Sequence, residues 1–135
     1  MSLISAYQQT TYRMLDFDQP FAVRVGKHVR EADNFMEAHG LEQLFFITSE
    51  NPSSKAWSDK WNLCFTDALM KSIMKKKIMC WPARAEPDEN WPREHGFFIS
   101  CSIKEAISLA RLYEQNAIVM LPKGQAALLV LCQKI

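Results

Sequence analysis

Residues 44–57 read LFFITSENPSSKAW, a continuous apolar run followed at once by small polar residues and a proline. Such a run is typical of a strand in the middle of a sheet that is covered on both faces. Asn51 and Pro52 favour a turn, and Ser53 or Ser54 can cap a following helix through a side-chain oxygen. The stretch therefore predicts a central strand, a polar corner and a helix.

On either side of this corner the chain alternates between strand and helix patterns. Strands that pair as terminal hairpins are predicted over residues 11–17, 21–25, 117–121 and 126–132. Helices are predicted over about 30–39, 56–76 and 102–114, internal strands over 44–48, 78–81 and 97–101, and a surface loop over 82–96. The order ββαβαββαββ predicts an α+β fold: a mixed, largely antiparallel sheet with about three helices packed on it.

Composition favours one globular domain over residues 1–135. Hydrophobic residues make up 48% and charged residues 23%, which is usual for a folded protein. The net charge of +1 provides no general attraction to nucleic acid or to an anionic membrane, so neither partner is expected. The run AALLVLC, residues 126–132, is too short to span a bilayer, and residues 1–13 lack the pattern of a secretion signal. We therefore expect a cytoplasmic protein.

The four cysteines indicate the same compartment. They are widely spaced, without a C-x-x-C pair or histidines at ligand spacing: Cys64, Cys80, Cys101 and Cys132. This pattern is typical of reduced thiols and makes both a disulfide framework and a zinc site unexpected. No metal and no cofactor are predicted.

The polar corner is the best candidate for a ligand site. A strand end that leads into a helix presents free backbone N–H groups, which suit a polar or anionic small ligand, although simple helix capping explains the same residues and is the stronger interpretation. Arg24 is a candidate counter-charge and Trp91, in a charged loop, a candidate cover. The predicted ligand-binding residues are Thr48, Asn51, Ser53, Ser54, Asn62, Gln115, Asn116, Arg24 and Trp91.

Three functional hypotheses remain open. The first is a small binding or regulatory domain for a polar or anionic ligand. The second is an enzyme, a hydrolase or group transferase, that uses the same corner; no catalytic residue is assigned, but His95 is a candidate base if it reaches Ser53 or Ser54. The third is a protein-interaction module that uses Trp91 and a sheet edge, with a homodimer as one assembly to test.

Several short motifs together resemble a small bacterial family of uncharacterised single-domain proteins, known only as a domain of unknown function. The motifs are FITSENPS at 46–53, WP at 81–82 and again at 91–92, and EQNAIV at 114–119. Family members are similar in a T-x-Y segment, an R-x-G segment and an I-T-A-x-N-P-x-S core. This chain has Ser49 in place of the alanine, and Ala83 and Arg84 where a glycine-containing turn is expected. The resemblance implies a bacterial, cytoplasmic protein but no mechanism.

Overall fold

The computed structural model describes residues 2–88 and 91–133. Within these ranges the chain forms four α-helices: α1 (Leu3–Gln8), α2 (Arg30–His39), α3 (Asp59–Lys75) and α4 (Ile103–Leu112). It also forms seven strands: β1 (Thr11–Met14), β2 (Phe21–Val23), β3 (Gln43–Ile47), β4 (Met79–Glu86), β5 (Glu94–Ser100), β6 (Ala117–Pro122) and β7 (Leu128–Leu131). A short 3₁₀ turn, Pro52–Ser54, follows β3.

The strands form one sheet in the order β2-β1-β4-β5-β3-β6-β7. Every pairing between the described strands is antiparallel, including both terminal hairpins. The α+β prediction is therefore confirmed, with an antiparallel sheet rather than a mixed one and with α1 in addition to the three predicted helices. None of the described helices combines the length and the apolar character needed to cross a bilayer.

Strand β3 is buried on both sides, as its unbroken apolar run predicts. Leu44 and Phe46 pack on the face that α2 covers, where Phe35 is fully buried. Phe45 and Ile47 pack on the opposite face, against side chains of α3 and α4 such as Leu69 and Leu109. Alternating side chains of one strand thus contribute to two separate cores, which leaves no polar position between Leu44 and Ile47.

The predicted start of the long helix was wrong. The N-cap of α3 is Ser58, whose side chain accepts a hydrogen bond from the Trp61 backbone N–H, rather than Ser53 or Ser54. Both of those serines have φ near 58°, in the left-handed region, so the backbone turns away before the helix begins. Trp57 and Trp61 lie on the surface, where their rings contact each other, and are not part of the core.

The predicted loop over 82–96 is mostly a hairpin. Strands β4 and β5 pair from Met79 opposite Ser100 to Ala85 opposite Glu94, so only residues 87–93 connect them. The charges within β4 are explained by ion pairs, since Glu86 accepts from Arg84 on its own strand and from Arg13 on β1. Here charged side chains alternate with buried alanines, which is a strand pattern despite the lack of large apolar residues.

Candidate functional site

A cavity of about 180 Å³ lies between α1, the polar corner (residues 48–54) and the 87–93 connection. Its rim includes the exposed residues Ala6 and Trp91, and its floor includes the buried residues Phe46, Ala85 and Val119. Most of the surrounding side chains are therefore apolar. Five of the nine predicted ligand-binding residues are among those that line it: Thr48, Asn51, Ser54, Trp91 and Gln115.

The corner is held in place by a pair of asparagines. The backbone N–H of Asn51 donates to Asn62 Oδ1 over 2.8 Å, and Asn51 Oδ1 accepts from Asn62 Nδ2 over 2.9 Å. Asn51 Oδ1 also accepts from the backbone N–H of Trp57 at 2.9 Å. Asn51 has φ of 49°, a left-handed conformation that asparagine tolerates better than most residues. Asn62 thus ties the corner to α3 and does not itself line the cavity.

Glu94, the first residue of β5, is a cavity residue that the sequence did not predict. Its carboxylate oxygen Oε2 accepts from Asn51 Nδ2 over 2.6 Å and from Trp91 Nε1 over 3.1 Å. Burial raises the pKa of Glu94 to about 7; these two hydrogen bonds oppose the rise, and the nearby charge of Glu50 adds to it. The carboxyl group therefore exchanges its proton near neutral pH, at the wall of a mostly apolar cavity.

Two tyrosines, one from α1 and one from β1, also line the cavity. Burial raises the pKa of the Tyr7 hydroxyl, an effect that a hydrogen bond with Ser54 opposes. Burial likewise raises the pKa of Tyr12, whose hydroxyl donates to the Tyr7 backbone oxygen over 3.4 Å. Both phenols therefore stay neutral at physiological pH, which leaves Glu94 as the group in this wall that can carry a negative charge there.

Two amides at the start of β6 join it to the corner. Gln115 Nε2 donates to the backbone oxygen of Glu50 over 3.1 Å, and Asn116 Nδ2 donates to Ser54 Oγ over 2.8 Å. Gln115 lines the cavity, whereas Asn116 supports it from behind through Ser54. The two adjacent amides of the EQNAIV motif thus lie at different positions relative to the cavity.

Two of the predicted site residues lie elsewhere. Ser53 is exposed and its backbone N–H donates to the Glu114 oxygen over 2.8 Å. Arg24 donates to Thr11 Oγ1 over 3.1 Å and forms an ion pair with Asp88 at 2.8 Å, so its charge is matched on the surface. The arginine is not among the residues that line the cavity.

His95 lies beside Glu50 and not beside Ser53 or Ser54, the serines that it would have to reach as a catalytic base. Its Nδ1 lies 3.3 Å from Oε2 of the buried Glu50, which also accepts from Thr66 Oγ1 over 2.9 Å. Within residues 2–88 and 91–133 no hydrogen bond joins His95 to Ser53 or Ser54. The same ranges contain no group of three or more His, Cys, Asp or Glu side chains arranged to hold a metal ion.

Comparison with known proteins identifies the family of the chain. The model of a family described as "Protein of unknown function (DUF3293)" matches residues 47–118, more than half of the chain. The matched segment contains Asn51, Asn62, Glu94 and Gln115, and therefore most of the corner and its carboxyl group. No curated protein and no solved structure matches the chain. The chain belongs to the DUF3293 family of proteins of unknown function.

Proposed function

We propose that this protein is a small binding or regulatory domain that holds a low-molecular-weight ligand in the cavity beneath α1. The observation that supports this is the cavity itself, about 180 Å³, whose described lining residues are mostly apolar and include one carboxyl group, that of Glu94. An engineered cavity of about 150 Å³ is large enough to hold benzene. The expected ligand is therefore about the size of a substituted six-membered ring.

The chemistry of the wall supports a ligand with an apolar body and one polar end. Phe46, Ala85 and Val119 provide the apolar floor, and Glu94 provides a hydrogen-bonding group at one side. Among the described lining residues there is no Lys, Arg or His, so an anionic ligand would meet a carboxyl group and no positive charge. A polar ligand without negative charge is thus better supported than an anionic one.

A matched pair of substitutions on α1 tests the proposal. Ala6→Phe places a ring at the rim of the cavity, whereas Gln8→Phe adds the same ring to the same helix at an exposed position outside the lining. The readout is the NMR signal of the Trp91 indole N–H, which donates to Glu94. Titration with small aromatic compounds is expected to shift this signal in the wild type and in Gln8→Phe, but not in Ala6→Phe. Equal shifts in all three proteins would place binding elsewhere and contradict the proposal.

An enzyme is the second candidate, and the pKa of Glu94 near 7 is the observation that favours it. A general acid or base works best when its pKa lies close to the operating pH. The test is to incubate a bound compound with excess protein and to follow its NMR spectrum over time. Conversion that is lost in Glu94→Gln, while binding is retained, would support proton-transfer catalysis. A compound that binds and stays unchanged would support the binding domain.

We also propose a bacterial cytoplasm as the setting of this protein. All four cysteines are free, and burial raises the pKa of the Cys80 thiol and raises that of Cys101 to about 12. Such thiols stay protonated and unreactive, which suits a reducing compartment.

The protein-interaction module and the homodimer remain predictions. Analytical ultracentrifugation of the purified chain tests whether it forms a homodimer.

A further inference from the structure

Four aromatic residues line the cavity together with Glu94, which is the one acidic side chain among the described lining residues. Tyr7 comes from α1, Tyr12 from β1, Phe46 from β3 and Trp91 from the 87–93 connection. They reach the cavity from four separate segments of the fold, and the rings of Tyr12 and Phe46 lie 4.8 Å apart at 55°. Aromatic rings carry negative potential on their faces, so a group of them around a carboxylate favours positive charge.

The carboxyl group of Glu94 has hydrogen-bonding capacity left as an acceptor. Asn51 and Trp91 both donate to Oε2 of Glu94, and within the described residues no donor reaches its second oxygen, Oε1. The polar groups beside it are already paired: Thr48 Oγ1 donates to the His95 backbone oxygen and accepts from the Glu50 N–H. Thr10 Oγ1 likewise donates to the Ala6 oxygen. A ligand that donates a hydrogen bond to Oε1, or that places a positive charge beside it, matches this free oxygen.

We infer that the ligand is an organic cation, a protonated amine or a quaternary ammonium ion on an apolar body, seated among the four aromatic residues with its charge toward Glu94. This inference rests on the proposed function. The two N–H groups on Oε2 fix the orientation of the carboxylate before the ligand arrives, which reduces the ordering cost of binding. A cation supplies the counter-charge that the described wall lacks, and it offsets the cost of an ionised carboxylate in apolar surroundings.

Four probes of similar shape separate charge from shape: benzylamine, benzyltrimethylammonium, benzyl alcohol and benzoate. Isothermal titration at pH 8 is expected to give at least one of the two cations about ten-fold tighter binding than benzyl alcohol, with benzoate weakest. If the alcohol binds as tightly as both cations, the inference is overturned and the proposed function stands. If no probe binds the wild type, both the inference and the proposed function fail.

Two sets of variants assign the preference to the residues named. Glu94→Gln keeps an oxygen that can accept from Asn51 and Trp91, and it is expected to bind benzyl alcohol as before while the preference for the cation falls to within about two-fold. Tyr7→Phe keeps the ring and is expected to retain the preference, whereas Tyr7→Leu weakens it. A cation preference that survives unchanged in Glu94→Gln and in Tyr7→Leu would overturn the assignment. The alcohol titration shows in each case that the cavity is intact.

Discussion

The side-chain amide of Asn51 connects the fold to the carboxyl group of Glu94. Its Nδ2 donates to Glu94 Oε2 over 2.6 Å, while its Oδ1 accepts from Asn62 Nδ2 over 2.9 Å. One amide thus uses its acceptor to fix the corner and its donor to orient the acid. The helix-capping and ligand-site interpretations of the corner are therefore compatible, because the same residue can serve both purposes.

Substitution of Asn51 is expected to affect stability and Glu94 together. Asn51→Ala removes the side-chain bonds to Asn62 and Trp57, at a cost of about 1–3 kcal/mol in unfolding free energy. It also removes a donor that lowers the pKa of Glu94, so the pKa should rise further above its ordinary value. Urea unfolding measures the first effect, and NMR titration of the Glu94 side-chain carboxyl carbon measures the second.

The matched comparison is Asn62→Ala, which leaves the donor on Glu94 in place. This variant is expected to lose stability to a similar extent with little effect on Glu94. The loss in the double variant should be smaller than the sum of the single losses by about 1 kcal/mol, because both remove the same amide contact. Fully additive losses would show that the two asparagines act independently.

Stability should fall with rising pH because of Glu94. The pKa of a glutamate is 4.5 in the unfolded chain, and burial raises that of Glu94 to about 7 in the folded protein. Between these two pH values the folded state therefore binds more protons than the unfolded state. The unfolding free energy then decreases as pH rises, and the contribution is present below about pH 4.5 and lost above about pH 7. The whole change is at most about 3 kcal/mol.

Glu94→Gln isolates this change from that of other groups. Glu50, Tyr7 and Tyr12 interact electrostatically with Glu94 and are unchanged in the variant. The variant does not titrate at residue 94, so its stability relative to the wild type should increase from pH 5 to pH 8. Urea unfolding of both proteins at several pH values measures the difference. A difference that does not vary with pH would mean that Glu94 titrates at its ordinary value.

Much of the fold could be predicted because its strongest local patterns agree with the tertiary structure. The run 44–47 is buried on both faces, the Ser102 and Glu105 capping box begins α4, and Gly40 ends α2 with φ of 68°. The helix α1 could not be predicted, because it has six residues and no buried side chain. The strand predicted over 78–81 is the first part of β4; its continuation to Glu86 was missed since the inward residues there are alanines, which give a weak apolar pattern.

The site could be predicted only in part, for related reasons. Asn51 and Gln115 were found because amides at element ends must have partners or a ligand. Glu94 could not be predicted in this way, because an acidic residue in a segment that is already charged gives no local sign of burial. Its hydrogen bonds with Trp91 and Asn51 form only after β4 and β5 pair. Tyr7 and Tyr12, which also line the cavity, are distant in sequence from the polar corner, and only the sheet order brings β1 near it.

Gly96 is expected to tolerate no side chain. A Cβ placed there would overlap the Ile47 backbone oxygen and lie 2.8 Å from the Phe46 ring, and the backbone oxygen has little freedom to move. Gly96→Ala should therefore lower the unfolding free energy by about 1–3 kcal/mol or more. It should also weaken probe binding, since Phe46 is part of the cavity floor. Thermal unfolding and titration with benzyl alcohol measure the two effects.

Gly124→Ala is the control for glycine loss without crowding. Gly124 has φ of 80° and no atom near an added Cβ, so its substitution costs about 1 kcal/mol of backbone strain and should leave binding unchanged. Loss of binding in both variants would mean that reduced stability, and not displacement of Phe46, is the cause.

Ser49 stands where the motif of the similar family has alanine, and its hydroxyl makes no hydrogen bond within the described residues. Its Oγ is buried and is the one side-chain polar atom in the described chain that is buried without a hydrogen-bond partner. Because an unpaired buried hydroxyl costs about 1–3 kcal/mol, Ser49→Ala should leave the unfolding free energy unchanged or raise it by about 1 kcal/mol.

Thr48→Val is the matched comparison, since the Thr48 hydroxyl makes two hydrogen bonds and its loss should destabilise the protein by about 1–2 kcal/mol. Chemical unfolding of both variants measures these changes. If Ser49→Ala destabilises as much as Thr48→Val, the serine hydroxyl has a partner, such as an ordered water, that alanine cannot replace.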